Sequence, residues 1–472
     1  MSGKSIILNA VGAGAALAGA QVNAADKPNI LFILADDMGV GDLGCYGQKK
    51  IKTPNLDRMA AEGMKFTRMY SGSALCAPAR CSFITGLHAG HGFVRNNFKL
   101  NFEGNIPIPA DSQTIPKLLQ SVGYKTACVG KWGLGYPGSW GDPMNQGFDH
   151  FYGFNCQRHA HTYYPTYVWN DKEREQYPPD NSEKTKKVYV HDKFTEQNLK
   201  FIEENAGKNP FFIYMAYTIP HVPLTPLDLK PYENTGWPNS CKAYAAMITR
   251  LDSDIGKILA KLKELGIAED TLVLFTSDNG PYGTEIVKFF NSNAGLRGKK
   301  GRLFEGGIRE PFIAYWPGKI KPGSVSDHPT ILWDMLPTFA ELAGVAPEKP
   351  YDGISIVPTI LGTGTQKKHK YLYWELGGMQ AVRFGNYKAV RQNNMIMLFN
   401  TKDDVNETND IASSNPEVVD RAEKIMQEAH VPSPLFPLIF LKEKRGKVDI
   451  GNNHIIAPAS SKRRHGKKTL KE

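Results

Sequence analysis

Four apolar runs of strand length each stop abruptly at polar or charged residues. Asn29-Ile-Leu-Phe-Ile-Leu-Ala35 ends in Asp36-Asp37, and Lys125-Thr-Ala-Cys-Val129 runs into Gly130-Lys131-Trp132. Pro210 to Tyr217 runs into Pro220-His221-Val222-Pro223, and Thr271 to Thr276 into Ser277-Asp278-Asn279-Gly280. A run without polar alternation suits a strand buried on both faces, as in a parallel sheet covered by helices on each side. Helical periodicity falls between the runs, at Asn55 to Gly63, Ser112 to Val122, Lys193 to Asn205 and Lys242 to Leu265. The predicted fold class is α/β, with a large, mostly parallel sheet sandwiched by helices. In such sheets the ligand site lies beyond the carboxyl ends of the strands, so the polar stops are the candidate functional residues.

The pattern changes at Leu361-Gly-Thr-Gly-Thr-Gln-Lys-Lys368, which breaks the apolar rhythm. Beyond it, Tyr371 to Glu375, Gln380 to Arg383, Tyr387 to Arg391 and Ile396 to Phe399 are short and roughly alternating, and Pro416 to Glu428 is helical. These predict a smaller antiparallel sheet with a helix. The expected organisation is a signal peptide over 1–24, a main domain over 25–365, a small sheet-and-helix domain over 366–440 and a basic tail over 441–472. The signal is read from Lys4, the Ala/Gly-rich stretch Ile6 to Ala20, and the small-residue cleavage site Val22-Asn23-Ala24. Export to the periplasm or beyond is therefore expected. That stretch is short for a bilayer, and no later segment is long and apolar enough to span one.

Charge narrows the partners. The formal net charge is +10, but residues 441–472 hold ten Lys/Arg against three Asp/Glu. With Lys4 also set aside, the body is close to neutral, so a surface built to grip nucleic acid is not expected. The tail, with Ser461-Lys462-Arg463-Arg464-His465-Gly466-Lys467-Lys468, reads as a solvated segment or as a contact for a polyanion. The six cysteines, Cys45, Cys76, Cys81, Cys128, Cys156 and Cys241, show no zinc spacing and single out no disulfide pair.

Chemistry concentrates at a few places. In Cys76-Ala77-Pro78-Ala79-Arg80, followed by Ile84-Thr85-Gly86, Pro78 fits the first turn of a helix that opens at Cys76. A helix N-terminus there favours an anion. Asp36, Asp37, Asp278 and Asn279 are hard oxygen donors at two strand ends, suited to calcium or magnesium rather than zinc. Lys131, His221 and the lysines of Leu296-Arg-Gly-Lys-Lys-Gly301 complete the set.

In this order, these motifs resemble the type I, formylglycine-dependent sulfatases over roughly residues 28 to 400. The wider pattern is similar to bacterial N-acetylgalactosamine-sulfatase-like members. The resemblance implies an alkaline-phosphatase-like fold and a sulfuric ester hydrolase. It implies that a maturation enzyme converts Cys76 to formylglycine. A serine nucleophile would be left as its own stable sulfate ester. A hydrated aldehyde attacks sulfur with one hydroxyl and expels sulfate with the other as the aldehyde reforms. Arg80 would hold the diol. Asp36, Asp37, Asp278 and Asn279 would hold one calcium ion per chain, with an oxygen at position 76 also on the metal. Lys131 and Lys300 would bind sulfate, and His221 would protonate the leaving group.

Departures from the family pattern leave alternatives. Lys299 stands at a usual glycine, so either Lys299 or Lys300 is the second sulfate-binding lysine. Gly133 replaces a histidine in Gly130-Lys131-Trp132-Gly133-Leu134-Gly135. His159 or His161 is expected to reach that position, or else to stack on sugar or fill a loop, both facing one side if the segment is extended. A loop rich in aromatics (Tyr152, Tyr163, Tyr164, Tyr167, Trp169) suits a sulfated carbohydrate, with a galacto-configured sugar preferred. A phosphonate or phosphodiester hydrolase of the same superfamily and a non-catalytic sulfated-glycan binder are the other readings.

Overall fold

The computed structural model describes residues 27–452 and 454–456. The expected signal peptide and the Ser461 to Lys468 basic stretch lie outside the described residues. In chain order the strands of the large sheet are β1 (Asn29–Ala35), β2 (Met64–Tyr70), β3 (Lys125–Lys131), β4 (His150–Phe154), β5 (Tyr167–Asn170), β6 (Glu173–Gln176), β7 (Phe211–Ala216), β8 (Thr271–Ser277), β9 (Arg309–Tyr315), β10 (Ser324–Ser326) and β11 (Thr330–Ile331). They form an 11-stranded sheet ordered β10-β2-β9-β8-β1-β7-β3-β4-β5-β6, with β11 also on β2. The centre, from β8 through β1, β7 and β3 to β4, is parallel. Antiparallel pairing appears toward both edges.

The helices are α1 (Pro54–Glu62), α2 (Cys76–Thr85), α3 (Ile115–Gln120), α4 (Val190–Asn205), α5 (Asn239–Glu264), α6 (Thr284–Phe290), α7 (Glu305–Ile308), α8 (Met335–Ala343), α9 (Val357–Leu361) and α10 (Pro416–Glu428). Alternation along β1 builds a core on each face of the sheet. Leu31 and Ile33 pack with Phe194 and Ile202 of α4 and Ile248, Leu251 and Ile255 of α5. Ile30, Phe32 and Leu34 pack with Phe83 of α2, Leu119 of α3 and Phe339 of α8. Phe32 stacks on Phe83 at 4.1 Å, which seats α2 on the central strand. Truncating such a buried ring costs about 3–5 kcal/mol, so this contact fixes where α2 begins. The α3 helix is shorter than the predicted Ser112 to Val122. Thr114 caps it by accepting from the Lys117 N–H, and Pro116 sits in its first turn, so both signals start it late.

The strands β12 (Leu372–Leu376), β13 (Met379–Phe384), β14 (Tyr387–Gln392) and β15 (Met395–Asn400) form the separate antiparallel sheet. One of its faces packs on α10 through Tyr373, Val382, Leu398 and Met426. The other meets the large unit, where Trp374 joins Tyr70 and Trp333 and donates its indole N–H to the Ser71 carbonyl at 2.9 Å. A final hairpin, β16 (Val448–Asp449) with β17 (Ile455–Ile456), corrects the expectation of a solvated tail from residue 441. Ile450 is buried with Leu100 and Tyr136, and the Tyr136 hydroxyl donates to the Gly451 carbonyl at 3.1 Å. The apolar residues Val448, Ile450 and Ile456, scattered among the charges, supply the packing.

Candidate active site

The polar stops converge at the carboxyl edge of the parallel centre. Asp36 and Asp37 leave β1, and Asp278 and Asn279 leave the adjacent β8, whose Asp278 N–H donates to the Ala35 carbonyl at 3.1 Å. Asp37 takes a left-handed backbone, φ 69°, which aspartate tolerates better than most residues. Its N–H donates to Asp278 Oδ1 at 3.2 Å, locking the two strand ends together. Lys131 is the last residue of β3, and Gly130 before it admits no side chain, because a Cβ would lie 2.0 Å from the Ala216 carbonyl oxygen. This close approach of β3 to β7 places Lys131 at the edge.

Cys76 opens α2, a helix with no capping side chain of its own at Leu75. Asn97, from a distant loop, accepts from the Ala77 N–H at 2.9 Å. The Cys76 thiol donates to Asp36 Oδ1 at 3.4 Å and accepts from Lys300 Nζ at 3.3 Å. Burial and the Asp36 charge push that thiol up to about 12. Ligand atoms of Asp36, Asp37, Cys76 and His221 all lie within 4.8 Å of one another.

Cations balance the carboxylates. Lys131 Nζ is 2.6 Å from Asp36 Oδ2, and Lys300 Nζ is 2.6 and 2.8 Å from the two oxygens of Asp37. Lys300, not Lys299, therefore meets the cluster; Lys299 turns away and donates to Thr284 Oγ1. Arg80 is buried and grips Asp278 Oδ2 with Nε at 3.1 Å and Nη2 at 2.7 Å, while Nη1 donates to the Lys131 carbonyl. It ties α2, β3 and β8 together rather than meeting Cys76 directly. Burial opposes ionisation of Asp36, yet Lys131, His221 and Arg80 hold it well below the carboxylate range. Burial and Asp36 push Asp278 up to about 7. A compact set of acids crowded enough to resist full ionisation is what a divalent cation would relieve. Asn279 fits the same description: its Nδ2 donates to Asp37 Oδ1 at 2.8 Å, leaving a buried Oδ1 with no partner.

His221 lies with Nε2 3.6 Å from Asp37 Oδ2, while its Nδ1 faces the Val222 carbonyl. That carbonyl fixes the proton on Nδ1 and leaves Nε2 toward the cluster. The Tyr163 hydroxyl bridges the carbonyls of Thr218 and His221, holding this turn.

The two loop histidines part company. His161 stacks on His221, whereas His159 sits 3.4 Å from Glu103 Oε1 and against Phe154 and Tyr167. The segment turns rather than running extended, so the expectation of one shared side is corrected. The aromatic loop is also mostly internal. Tyr152, Tyr163 and Tyr164 are buried, and Tyr167 and Trp169 donate to Glu103, so they form no free stacking platform. Asn97 and Gln157, which sequence reasoning passed over, carry no motif; only the missing cap on α2 hinted at a remote partner.

Comparison with known proteins agrees with this geometry. A family model described as Sulfatase matches residues 28–345, and one described as N-sulphoglucosamine sulphohydrolase, C-terminal, matches residues 298–431. The N-acetylgalactosamine-6-sulfatase of Canis lupus familiaris is 36% identical over 403 residues, covering 81% of this chain and 74% of that protein. Arylsulfatase G of Rattus norvegicus is 30% identical over 460 residues, covering 85% and 86%. Among solved structures, Ps i-CgsB in complex with k-i-k-neocarrahexaose superposes with a TM-score of 0.76 at 29% identity, covering 85% of this chain and 92% of that one.

Proposed function

The chain belongs to the sulfatase family, and on that premise we propose that this sulfuric ester hydrolase cleaves a sulfate ester on a carbohydrate, using a formylglycine formed at Cys76 and a calcium ion. The observation that carries the reading is the setting of Cys76. A thiol pushed up to about 12 is almost wholly protonated at neutral pH and makes a poor nucleophile. Its place among carboxylates, lysines and a helix N-terminus suits an oxygen nucleophile and an anionic substrate instead. A formylglycine supplies, when hydrated, a hydroxyl nucleophile at that point.

The oxygens of Asp36, Asp37, Asp278 and Asn279 would hold the metal, and the unpartnered Asn279 Oδ1 supports a hard cation. A bound calcium ion supplies positive charge beside the nucleophile and the sulfuryl oxygens. Lys131 and Lys300, now on Asp36 and Asp37, would turn their ammonium donors to the sulfuryl oxygens. As the imidazolium, His221 would keep its Nδ1 proton on the Val222 carbonyl and deliver the second proton, from Nε2, to the departing alcohol. Arg80 would keep Asp278 and β3 in place.

The N-acetylgalactosamine-6-sulfatase relatives and the neighbour solved with a neocarrahexaose support a sulfated, galacto-configured sugar. Export to the periplasm or beyond, by way of the N-terminal signal, belongs to the same reading. The test is a mass spectrum of the peptide spanning Cys76, from a host able to mature sulfatases. Conversion makes it about 18 Da lighter than the thiol form. An unmodified Cys76 in that host would sink the formylglycine reading; where conversion is found, a panel of sulfated sugars would identify the ester that the enzyme cleaves.

A further inference from the structure

Two residues beyond Lys131, a buried amide donor lies against the position that Gly133 leaves without a side chain. Gly133 has φ +84°, and a Cβ built there would meet Gln157 Nε2 at 3.2 Å. Gln157 is only 4% exposed, and its Nε2 has no hydrogen-bond partner. Its orientation is fixed from the other side. Gln157 Oε1 accepts from Asn105 Nδ2 at 2.8 Å, and the Gln157 backbone N–H donates to Asn105 Oδ1 at 2.9 Å. Flipping the amide would set Gln157 Nε2 against Asn105 Nδ2, donor against donor, so the NH2 group must face Gly133. A buried amide donor left unmade is costly, and a native chain retains one where something else supplies the acceptor.

The Gly133 position follows directly on the strand end that carries Lys131. The pairing of β3 with β4 continues past Lys131, with Trp132 N–H on the Phe154 carbonyl at 2.9 Å and Gly133 N–H on the Asn155 carbonyl at 3.0 Å. Gly133 thus lies two residues beyond a lysine whose Nζ is 2.6 Å from Asp36. Four residues beyond Gln157, His161 stacks on His221. Gln157 is bracketed by groups that reach the site.

We propose that Gln157 donates an amide N–H to a sulfuryl oxygen of the substrate, and that Asn105 is the positioning residue that aims it. This rests on the sulfatase reading of the site. An amide neither takes nor gives a proton here, so its contribution is charge stabilisation and alignment, independent of pH.

The test uses the matured, full-length enzyme and compares wild type with Gln157→Glu and Gln157→Leu. Glutamate keeps the acceptor for Asn105 but turns an oxygen toward the anion; leucine keeps the bulk and removes the donor. The readouts are kcat and KM on a sulfated sugar, binding of inorganic sulfate by calorimetry, and the thermal midpoint. Loss of one preorganised donor is expected to lower kcat by about 100-fold. Sulfate binding should weaken in both variants, more in Gln157→Glu, and the ratio of wild-type kcat to that of Gln157→Leu should be flat across pH. Variants that keep kcat and sulfate affinity within about threefold of wild type, or that both fail to fold, assign Gln157 to structure and overturn the proposal. If wild type turns over no sulfate ester yet binds sulfate through Gln157, the enzymatic reading falls and this site stands.

Discussion

The imidazole rings of His161 and His221 stack with centroids 4.9 Å apart and planes 23° from parallel. Burial, His221 and Lys131 together push His161 down to about 4, so it stays neutral at physiological pH. A neutral ring against His221 limits where that side chain can swing. His161→Ala is expected to lower kcat on a sulfated sugar about 10-fold, and His221→Ala by about 100-fold or more, as for loss of a general acid. His159, held by Glu103 away from the cluster, should tolerate alanine with turnover within about twofold. Steady-state kinetics on the three variants checks the ranking; equal losses at 159 and 161 would contradict it.

A divalent cation should stabilise the fold. Ligand binding at 100 times the dissociation constant adds about 2.7 kcal/mol. Calcium or magnesium is expected to raise the thermal midpoint by several degrees and a chelator to lower it, with Asp36→Asn and Asp278→Asn abolishing the response. Differential scanning fluorimetry with and without each metal decides this, and a zinc response stronger than calcium would count against the hard-oxygen assignment.

Lys388 joins the small sheet to the site from below. Its Nζ lies 3.0 Å from Glu305 Oε1 and 2.9 Å from Glu407 Oε1, with all three side chains buried. Burial alone would raise Glu305, but Lys388 and Arg383 bring it down to about 2. Removing the lysine strands buried carboxylates, a loss of about 3–5 kcal/mol. Lys388→Ala should shift the denaturant midpoint accordingly. Glu305 opens α7 shortly after Lys300, so activity should fall below the folding midpoint as well.

His430 gives stability a pH dependence. Its Nδ1 is 2.6 Å from Glu375 Oε2 and its Nε2 is 2.5 Å from Glu443 Oε1. Burial works against protonation, yet these carboxylates raise His430 above its ordinary 6.5. A raised folded value means the contribution is fully present below about pH 6.5 and is lost as pH rises through the folded value. The thermal midpoint of wild type minus that of His430→Ala should therefore shrink between mildly acidic and alkaline buffer. A difference that grows with pH would reverse the assignment.

Much of the site was legible because its residues sit where a buried strand must stop. The predicted run Asn29 to Ala35 matches β1 residue for residue, and Pro416 to Glu428 matches α10. An apolar run buried on both faces cannot continue through Asp36-Asp37. The choice between Lys299 and Lys300 was not legible, since neighbours in sequence point differently once a turn forms. The Lys300 N–H donates to the Pro281 carbonyl and the Gly301 N–H to the Ala74 carbonyl, and that turn sends Lys300 inward.

By itself, the sequence determined an α/β sheet and the residue types at its carboxyl edge, because burial and polarity are local properties of each run. Only the tertiary structure decided which remote groups complete the site. Asn97 on the α2 amide, Arg80 on Asp278, His161 on His221 and Asn105 on Gln157 depend on distances between segments far apart in the chain. The folding of residues 441–456 onto Leu100 and Tyr136 is of the same kind. A few apolar residues in a charged stretch find their place only when the rest of the molecule offers a surface to receive them.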